Sequence, residues 1–414
     1  MRLPHFLHRA LETKVLQNYS YMSALSLISA LVGILVYPYV IRVLGAEQYG
    51  LYVFLLAIVM YFQAIIDYGF DQPAAKAIVQ NKDNLAEQSR IVSSVLAAKI
   101  LLLTIAALIA AVVSLTIPIL RTNVLLFGLI ALQPISTILF PTWYFQGIKD
   151  MRAVTIITLC MRLLQIPFIF WLIRSEKDTI LYAAIIGFSY LLAGIVGLIA
   201  TYKRGIRIVA VSMQNVFCMF REATPFFLTS VTGVVKERTL TALIGALCGM
   251  QEVALYDLAN KLIQIPRIFT QSINAALYPE VVNNASPHRV KTILAHERKI
   301  ASAFIFAIIL LAYPAIWLLG GQQMLDAFPI TIILSLSIYT YLIVGAYLQF
   351  VFIPNNKYYW VAQNQLLALL SCFLICGIGL IFTRSIILFA AAIVLSGFVE
   401  ILFCRFMTRK YQLL

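Results

Sequence analysis

Charge is scarce in this chain. Only 12% of its 414 residues are charged, 17 are acidic and four are histidine. No hydrophilic stretch is long enough for a separate water-soluble domain. Nor can a soluble core use this much apolar material: 62% of the residues are hydrophobic, against about 45–50% in a soluble domain. The mean hydropathy is +0.92. Nucleotide and hydrolase motifs are missing as well. Without a G-x-x-x-x-G-K-[ST] loop, ATP hydrolysis by that route is excluded, and neither H-E-x-x-H nor G-x-S-x-G occurs. His5, His8, His288 and His296 fall outside the apolar runs, so none is placed as a mid-membrane proton relay. The six cysteines form no disulfide framework. Cys372 and Cys376 are one helical turn apart, but no histidine or carboxylate lies near them in sequence, so they read as small buried hydrophobes. No metal or cofactor is expected.

What remains is long apolar runs. They are continuous rather than alternating, which excludes the strands of a membrane barrel. A span needs about 20 mostly apolar residues. Twelve are expected, near 19–41, 49–70, 91–117, 122–145, 153–173, 179–201, 225–247, 252–280, 300–319, 326–351, 359–382 and 385–406. The first run follows a basic segment but lacks an A-x-A cleavage site, so it reads as a retained helix. The fold class expected is therefore an all-α integral membrane protein of about twelve helices.

The halves are related. Gly45-Ala46-Glu47-Gln48-Tyr49-Gly50-Leu51-Tyr52 recurs as Gly249-Met250-Gln251-Glu252-Val253-Ala254-Leu255-Tyr256, at an offset of 204 residues. Each copy sits in a short turn between two apolar runs. Six helices per half, an even number, give two parallel repeats about an axis along the membrane normal. The expected division is a cytoplasmic segment 1–18, a six-helix bundle 19–201, an amphipathic linker 202–224, a second six-helix bundle 225–406 and a tail 407–414. With the N-terminus placed inside, 20 of the 31 Lys and Arg fall in inner segments and only Arg42, Arg121, Arg174, Lys177 and Arg384 fall outside. The positive-inside rule then supports cytoplasmic termini. The net charge of +14 is thus mostly inner-face loop charge meeting anionic headgroups, and nucleic acid is not an expected partner.

Some charges stay within the spans, where each costs at least about 2.5–3.5 kcal/mol unless it meets water or a partner. Lys236, Glu237 and Arg238 lie mid-span in the seventh run. Thr229, Thr232, Lys236 and Thr239 share one helical face, with Arg238 nearly opposite. In the eighth, Asp257, Asn260, Lys261, Gln264, Arg267, Gln271 and Asn274 fall within an arc of about 140°, and Asp257 and Lys261 are spaced as an i,i+4 pair. At the repeat offset Gln63 corresponds to Arg267 and Asp67 to Gln271. Arg162 lies mid-span in the fifth run, Lys99 in the third, and Glu400 reads as solvated near the inner end of the twelfth. The expectation is a cationic cavity formed by Lys236, Arg238, Lys261, Arg267 and Arg162. Such a path suits an anionic passenger.

The stretch Pro38-Tyr39-Val40-Ile41-Arg42-Val43-Leu44-Gly45-Ala46-Glu47-Gln48-Tyr49-Gly50-Leu51-Tyr52, followed by Asp67-Tyr68-Gly69-Phe70, resembles the signature of polysaccharide exporters. With twelve spans, the chain resembles bacterial O-antigen flippases of the Wzx type, in the multidrug/oligosaccharidyl-lipid/polysaccharide exporter superfamily. The resemblance implies a V-shaped alternating-access transporter, not an enzyme. Its passenger would be an undecaprenyl-pyrophosphate-linked oligosaccharide, moved from the inner to the outer leaflet of the bacterial inner membrane by an ion gradient. Membrane lipids, a polysaccharide polymerase and a chain-length regulator are the partners it brings. Glu237, Asp257 and Asp67 are the candidate ion-coupling acids. Two alternatives compete. A multidrug or cation antiporter needs an acidic cavity, and a membrane polysaccharide polymerase needs long outer loops.

Overall fold

The computed structural model describes residues 5–283, 287–355 and 357–413. Thr229 and Gln271 lie outside the described side chains. The chain is helical, with no strand among the described residues. Helix α1 (His5–Asp67) is followed by α2 (Asp71–Gln80), α3 (Leu85–Thr116), the short α4 (Pro118–Thr122), α5 (Val124–Ile130), α6 (Leu132–Leu139) and α7 (Thr142–Gly147), then α8 (Met151–Leu172) and α9 (Thr179–Lys203). After an extended stretch come α10 (Met213–Leu247), α11 (Met250–Asn283), α12 (Pro287–Gly320), α13 (Ala327–Tyr347), a π-helical turn (Leu348–Phe352), α14 (Tyr358–Gly379) and α15 (Ile386–Lys410).

Local chemistry sets several of these boundaries. The Asn84 side chain accepts the Glu87 amide and so caps α3, and Asp150 does the same for Ala153 at the start of α8. Pro141 separates α6 from α7, because it has no N–H to continue a helical ladder. At 1.5 Å per residue the 22 residues of α8 rise about 33 Å, which matches a hydrocarbon core of about 30 Å.

The surface is apolar. On α14, Leu366, Leu370, Leu374 and Ile378 form an exposed stripe, while Asn364, Ala368, Cys372 and Cys376 form the buried one. On α3, Ile105, Leu108, Ile109 and Val112 face out, and Val95, Ala98, Lys99 and Leu102 face in. Water cannot be the solvent for such faces, because exposed apolar patches of this extent demand lipid. Among the described residues nine helical segments are long and apolar enough to cross a membrane. The twelve expected spans are not all recovered on that criterion. α1 counts within a single segment although its backbone breaks at Gly45. α10 and α11 fall outside the nine; they carry the charge clusters. α10 also begins at Met213, inside the stretch read as a linker.

The fold divides into two compact units, Met1–Leu44 with Leu55–Val231, and Gly45–Phe54 with Thr232–Leu414. The elements repeat at the offset of the duplicated phrase. α3 and α12, α8 and α14, and α9 and α15 occupy equivalent stretches to within a few residues. The same pairs pack in each unit: α6 and α8 on α9 in the first, α13 and α14 on α15 in the second.

Both copies of the phrase open on a glycine with positive φ, 77° at Gly45 and 115° at Gly249. An L side chain is strained there, so glycine supplies the break between successive helices. Within the second unit the two copies cross. A Cβ at Gly50 would overlap the carbonyl of Met250 and stand 3.4 Å from the Ala254 amide nitrogen. This is small-residue packing, in which the missing side chain lets two helices touch through their backbones. Gly50→Ala should therefore destabilise the chain by about 1–3 kcal/mol through overpacking. Ala254→Gly, at the repeat-equivalent position, should cost less. Thermal unfolding of the purified protein measures both, and an unchanged melting temperature for Gly50→Ala would contradict the close crossing.

Candidate functional site

The second unit encloses a cavity of about 520 Å³. Its walls come from α10, α11, α13, α14, α15 and the π-helical turn. Each wall helix turns its polar residues inward, since its outer face meets lipid. α10 supplies Lys236, Glu237 and Arg238, and all three line the cavity. Arg238 was expected to point away from Lys236. The hollow is wide enough to be lined by a broad arc of α10, so opposite edges of that face both reach it.

Lys236 donates to Glu400 Oε1 at 3.0 Å, and this pair is mostly shielded, with the two side chains 21% and 12% exposed. Glu400 in turn accepts from Asn364 Nδ2 at 3.0 Å, and Asn364 is fully buried, with the Cys404 thiol 3.5 Å from its Oδ1. Glu400 is thus an intramembrane partner and not the solvated residue its position suggested. The signal was available: it lies between Phe398, Val399, Ile401 and Leu402, where an unpaired carboxylate is costly.

α11 carries Asp257, Asn260, Gln264 and Arg267 into the same cavity. Asp257 is ion-paired with Lys261 and accepts the Tyr49 hydroxyl at 2.8 Å. Lys261 also donates to that hydroxyl at 2.7 Å and stands 5.2 Å from the Tyr49 ring centroid. Tyr49 belongs to the Gly45–Phe54 segment of this unit, so the repeated phrase braces the charged stripe. Among the described residues Lys261 is not part of the lining; it acts on the cavity through Asp257. Arg267 donates Nη2 to Ser337 Oγ at 2.7 Å, and its guanidinium stands 4.8 Å from the Tyr341 centroid, a cation–π contact. Two buried atoms in the lining have no hydrogen-bond partner among the described residues, the donor Arg267 Nε and the acceptor Gln349 Oε1. Gln349 sits in the π-helical turn, a form of backbone found disproportionately at functional sites.

The expected cationic excess is not present in this lining. Lys236, Arg238 and Arg267 are matched in number by Glu237, Asp257 and Glu400. The charge is spatially sorted instead, with two lysines neutralised in pairs and Arg267 held by neutral groups. Arg162 and Asp67 are not here at all; they line a separate cavity in the first unit. Lys99, read as a paired or snorkelling cation, is paired there with Asp67 at 2.9 Å and Asp71 at 3.7 Å. Among the described residues no group of three His, Cys, Asp or Glu is placed to hold a metal.

A double-mutant cycle tests the Lys236–Glu400 pair. Lys236→Met and Glu400→Gln should each destabilise the protein, by less than the about 3–5 kcal/mol of a fully buried pair because Lys236 keeps some exposure. The double variant should recover most of that loss in thermal unfolding. Additive losses would show that the two side chains do not interact.

Comparison with known proteins supplies the context for this cavity. Residues 15–284 match the family model described as polysaccharide biosynthesis protein. A protein of Escherichia coli strain K12 named "Putative O-antigen transporter" is 24% identical over 279 residues, 67% of each chain. One of the same name from Shigella dysenteriae is 27% identical over 255 residues, 60% of this chain and 62% of that protein's length. Among solved structures, an inward-facing multidrug resistance transporter of the MATE family, MOP superfamily, superposes with a TM-score of 0.69 at 13% identity, covering 94% of this chain and 95% of that one. The lipid II flippase MurJ, in an inward closed conformation, gives 0.67 at 16% identity, with 94% and 87% covered. These two likenesses show the fold.

Proposed function

Because this chain belongs to the polysaccharide biosynthesis protein family, we propose that it is a flippase for lipid-linked oligosaccharide, exporting O-antigen-type units across a membrane. The relatives named as O-antigen transporters support export of polysaccharide material. The fold shared with multidrug transporters and a lipid II flippase supports transport over catalysis. The observation that carries the reading is the cavity lined by polar and charged side chains inside helices whose outer faces are apolar. A glycan headgroup needs such a path, because its hydroxyls cannot cross hydrocarbon unbonded.

In this reading the passenger is an undecaprenyl-pyrophosphate-linked oligosaccharide, moved from the inner to the outer leaflet of a bacterial inner membrane, with both termini cytoplasmic. Arg267 and Arg238 take its anionic oxygens, and Arg267 Nε has a donor to spare. The amides of Asn260, Gln264, Gln349 and Gln365 take sugar hydroxyls. Alternating access exposes the cavity to one leaflet at a time. Coupling to an ion gradient falls to Glu237, Asp257 and Asp67. Protonating Asp257 would release Lys261 and Tyr49, and protonating Asp67 would loosen Lys99. Each event therefore changes a lysine's partners, which is what a coupling step requires.

Efflux of a cationic compound is the second reading, favoured by the three carboxylates in the lining. One experiment separates the two. In the source bacterium lacking this gene, plasmid-borne Arg267→Ala and Lys236→Ala should each reduce surface polysaccharide at least tenfold while the protein remains in the membrane. Arg267→Lys and Lys236→Arg should retain more. Normal polysaccharide in both alanine variants contradicts the export reading. Altered resistance to cationic drugs with unchanged polysaccharide would favour efflux.

A further inference from the structure

The offset that pairs the two phrases also pairs two cavities. The first unit holds its own hollow of about 300 Å³. At the offset of 204 residues, Gln63, Thr137, Phe140, Ser189 and Ala193 of its lining correspond to Arg267, Tyr341, Val344, Ile393 and Gly397 of the lining in the second unit. These positions come from three different stretches of each half. The two hollows therefore overlap at repeat-equivalent positions. The two copies have since diverged in chemistry.

The divergence concerns where the cation sits. In the first unit Gln63 occupies the position of Arg267, and the neighbouring charges form a closed cluster. Lys99, 3% exposed, donates to Asp67 Oδ1 at 2.9 Å and stands 3.7 Å from Asp71. Asp67 Oδ1 also accepts from Thr137 at 3.0 Å, and Asp67 Oδ2 from Gln63 at 3.5 Å. One lysine is therefore more than matched by two carboxylates. Arg162, on α8, lines the same cavity, and its Nε is buried with no hydrogen-bond partner among the described residues. The same lining carries Thr158, Gln165 and Tyr190, with Met161 and Trp143 as apolar wall.

This set has a definite preference. A guanidinium N–H lacking an acceptor suits a planar carboxylate, with hydroxyls and an amide around it for the ring. With Lys99 committed to Asp67 and Asp71, Arg162 adds a single further positive charge among the described lining residues, which suits a monoanion better than a dianion. We propose that the cavity of the first unit is a second sugar site, which holds one acidic monosaccharide residue through its carboxylate on Arg162. The identity of the ligand as part of a transported glycan rests on the export reading above; the binding itself does not. The chain would then contact its passenger at two places, one inherited in each half.

The test is binding to the purified full-length protein, read as a shift in its thermal unfolding. The probes are D-glucuronate, D-glucose and inorganic phosphate at equal concentration. Glucuronate should raise the melting temperature by several degrees, and glucose and phosphate by much less. The shift should vanish in Arg162→Gln, shrink in Gln165→Leu, persist partly in Arg162→Lys and persist fully in Arg267→Gln. If Arg162→Gln fails to fold, the Gln165→Leu and Arg162→Lys results decide. The proposal is overturned by no shift with glucuronate, by equal shifts with glucose or phosphate, or by a shift that survives in Arg162→Gln. A shift lost only in Arg267→Gln would place the acid in the other cavity. Normal surface polysaccharide in the Arg267→Ala and Lys236→Ala strains, with this pattern of binding intact, would fault the functional reading and leave the site standing.

Discussion

Every polar feature of this protein answers one constraint, the cost of a charge among apolar helices. An isolated ionisable side chain in hydrocarbon costs several kcal/mol, so each must find an opposite charge, a hydrogen-bonding partner or water. Lys236 finds Glu400, Lys261 finds Asp257, and Lys99 finds Asp67 and Asp71. Arg267 leans on Ser337 and Tyr341. The pairs do not fill the space between helices, and hollows remain beside them. The same constraint that pairs the charges thus leaves polar hollows beside them.

Much of this could be read from the residues alone. Continuous apolar runs gave the helices, and the doubled phrase gave the repeat, because its glycines are needed for positive φ at Gly45 and Gly249. The i,i+4 spacing of Asp257 and Lys261 disclosed their pair, since neighbours on one helix are fixed by its pitch. Pairs between helices were not legible. Glu400 lies 164 residues from Lys236, and nothing local says that α15 brings it to α10. For the same reason periodicity alone does not show that Glu400 joins the cavity lining of the second unit, or that Arg162 lines the cavity of the first. Periodicity places a residue on a face. Which neighbour that face meets is a property of packing.

Duplication explains why two hollows exist and why they differ. A repeat inherits its backbone almost intact, so helices α3, α8 and α9 recur as α12, α14 and α15, while side chains within the hollow are free to change as long as each charge remains satisfied. Gln63 and Arg267 stand at one ancestral position, and each is accommodated by different neighbours: Asp67 beside the amide, Ser337 and Tyr341 beside the guanidinium. The two related halves thereby hold hollows of unlike chemistry.

The most direct test of this account is the water accessibility of α11. In a chain with Cys160, Cys218 and Cys248 replaced by serine and the buried Cys372, Cys376 and Cys404 retained, single cysteines are placed at Asn260 and Gln264, which line the cavity, and at Ile265, which is 45% exposed on the outer surface. The account predicts that a charged, water-soluble thiol reagent labels the cysteines at 260 and 264 and spares the one at 265. Labelling at 265 with none at 260 or 264 would contradict it, because the charged face would then be dry and the apolar face wet.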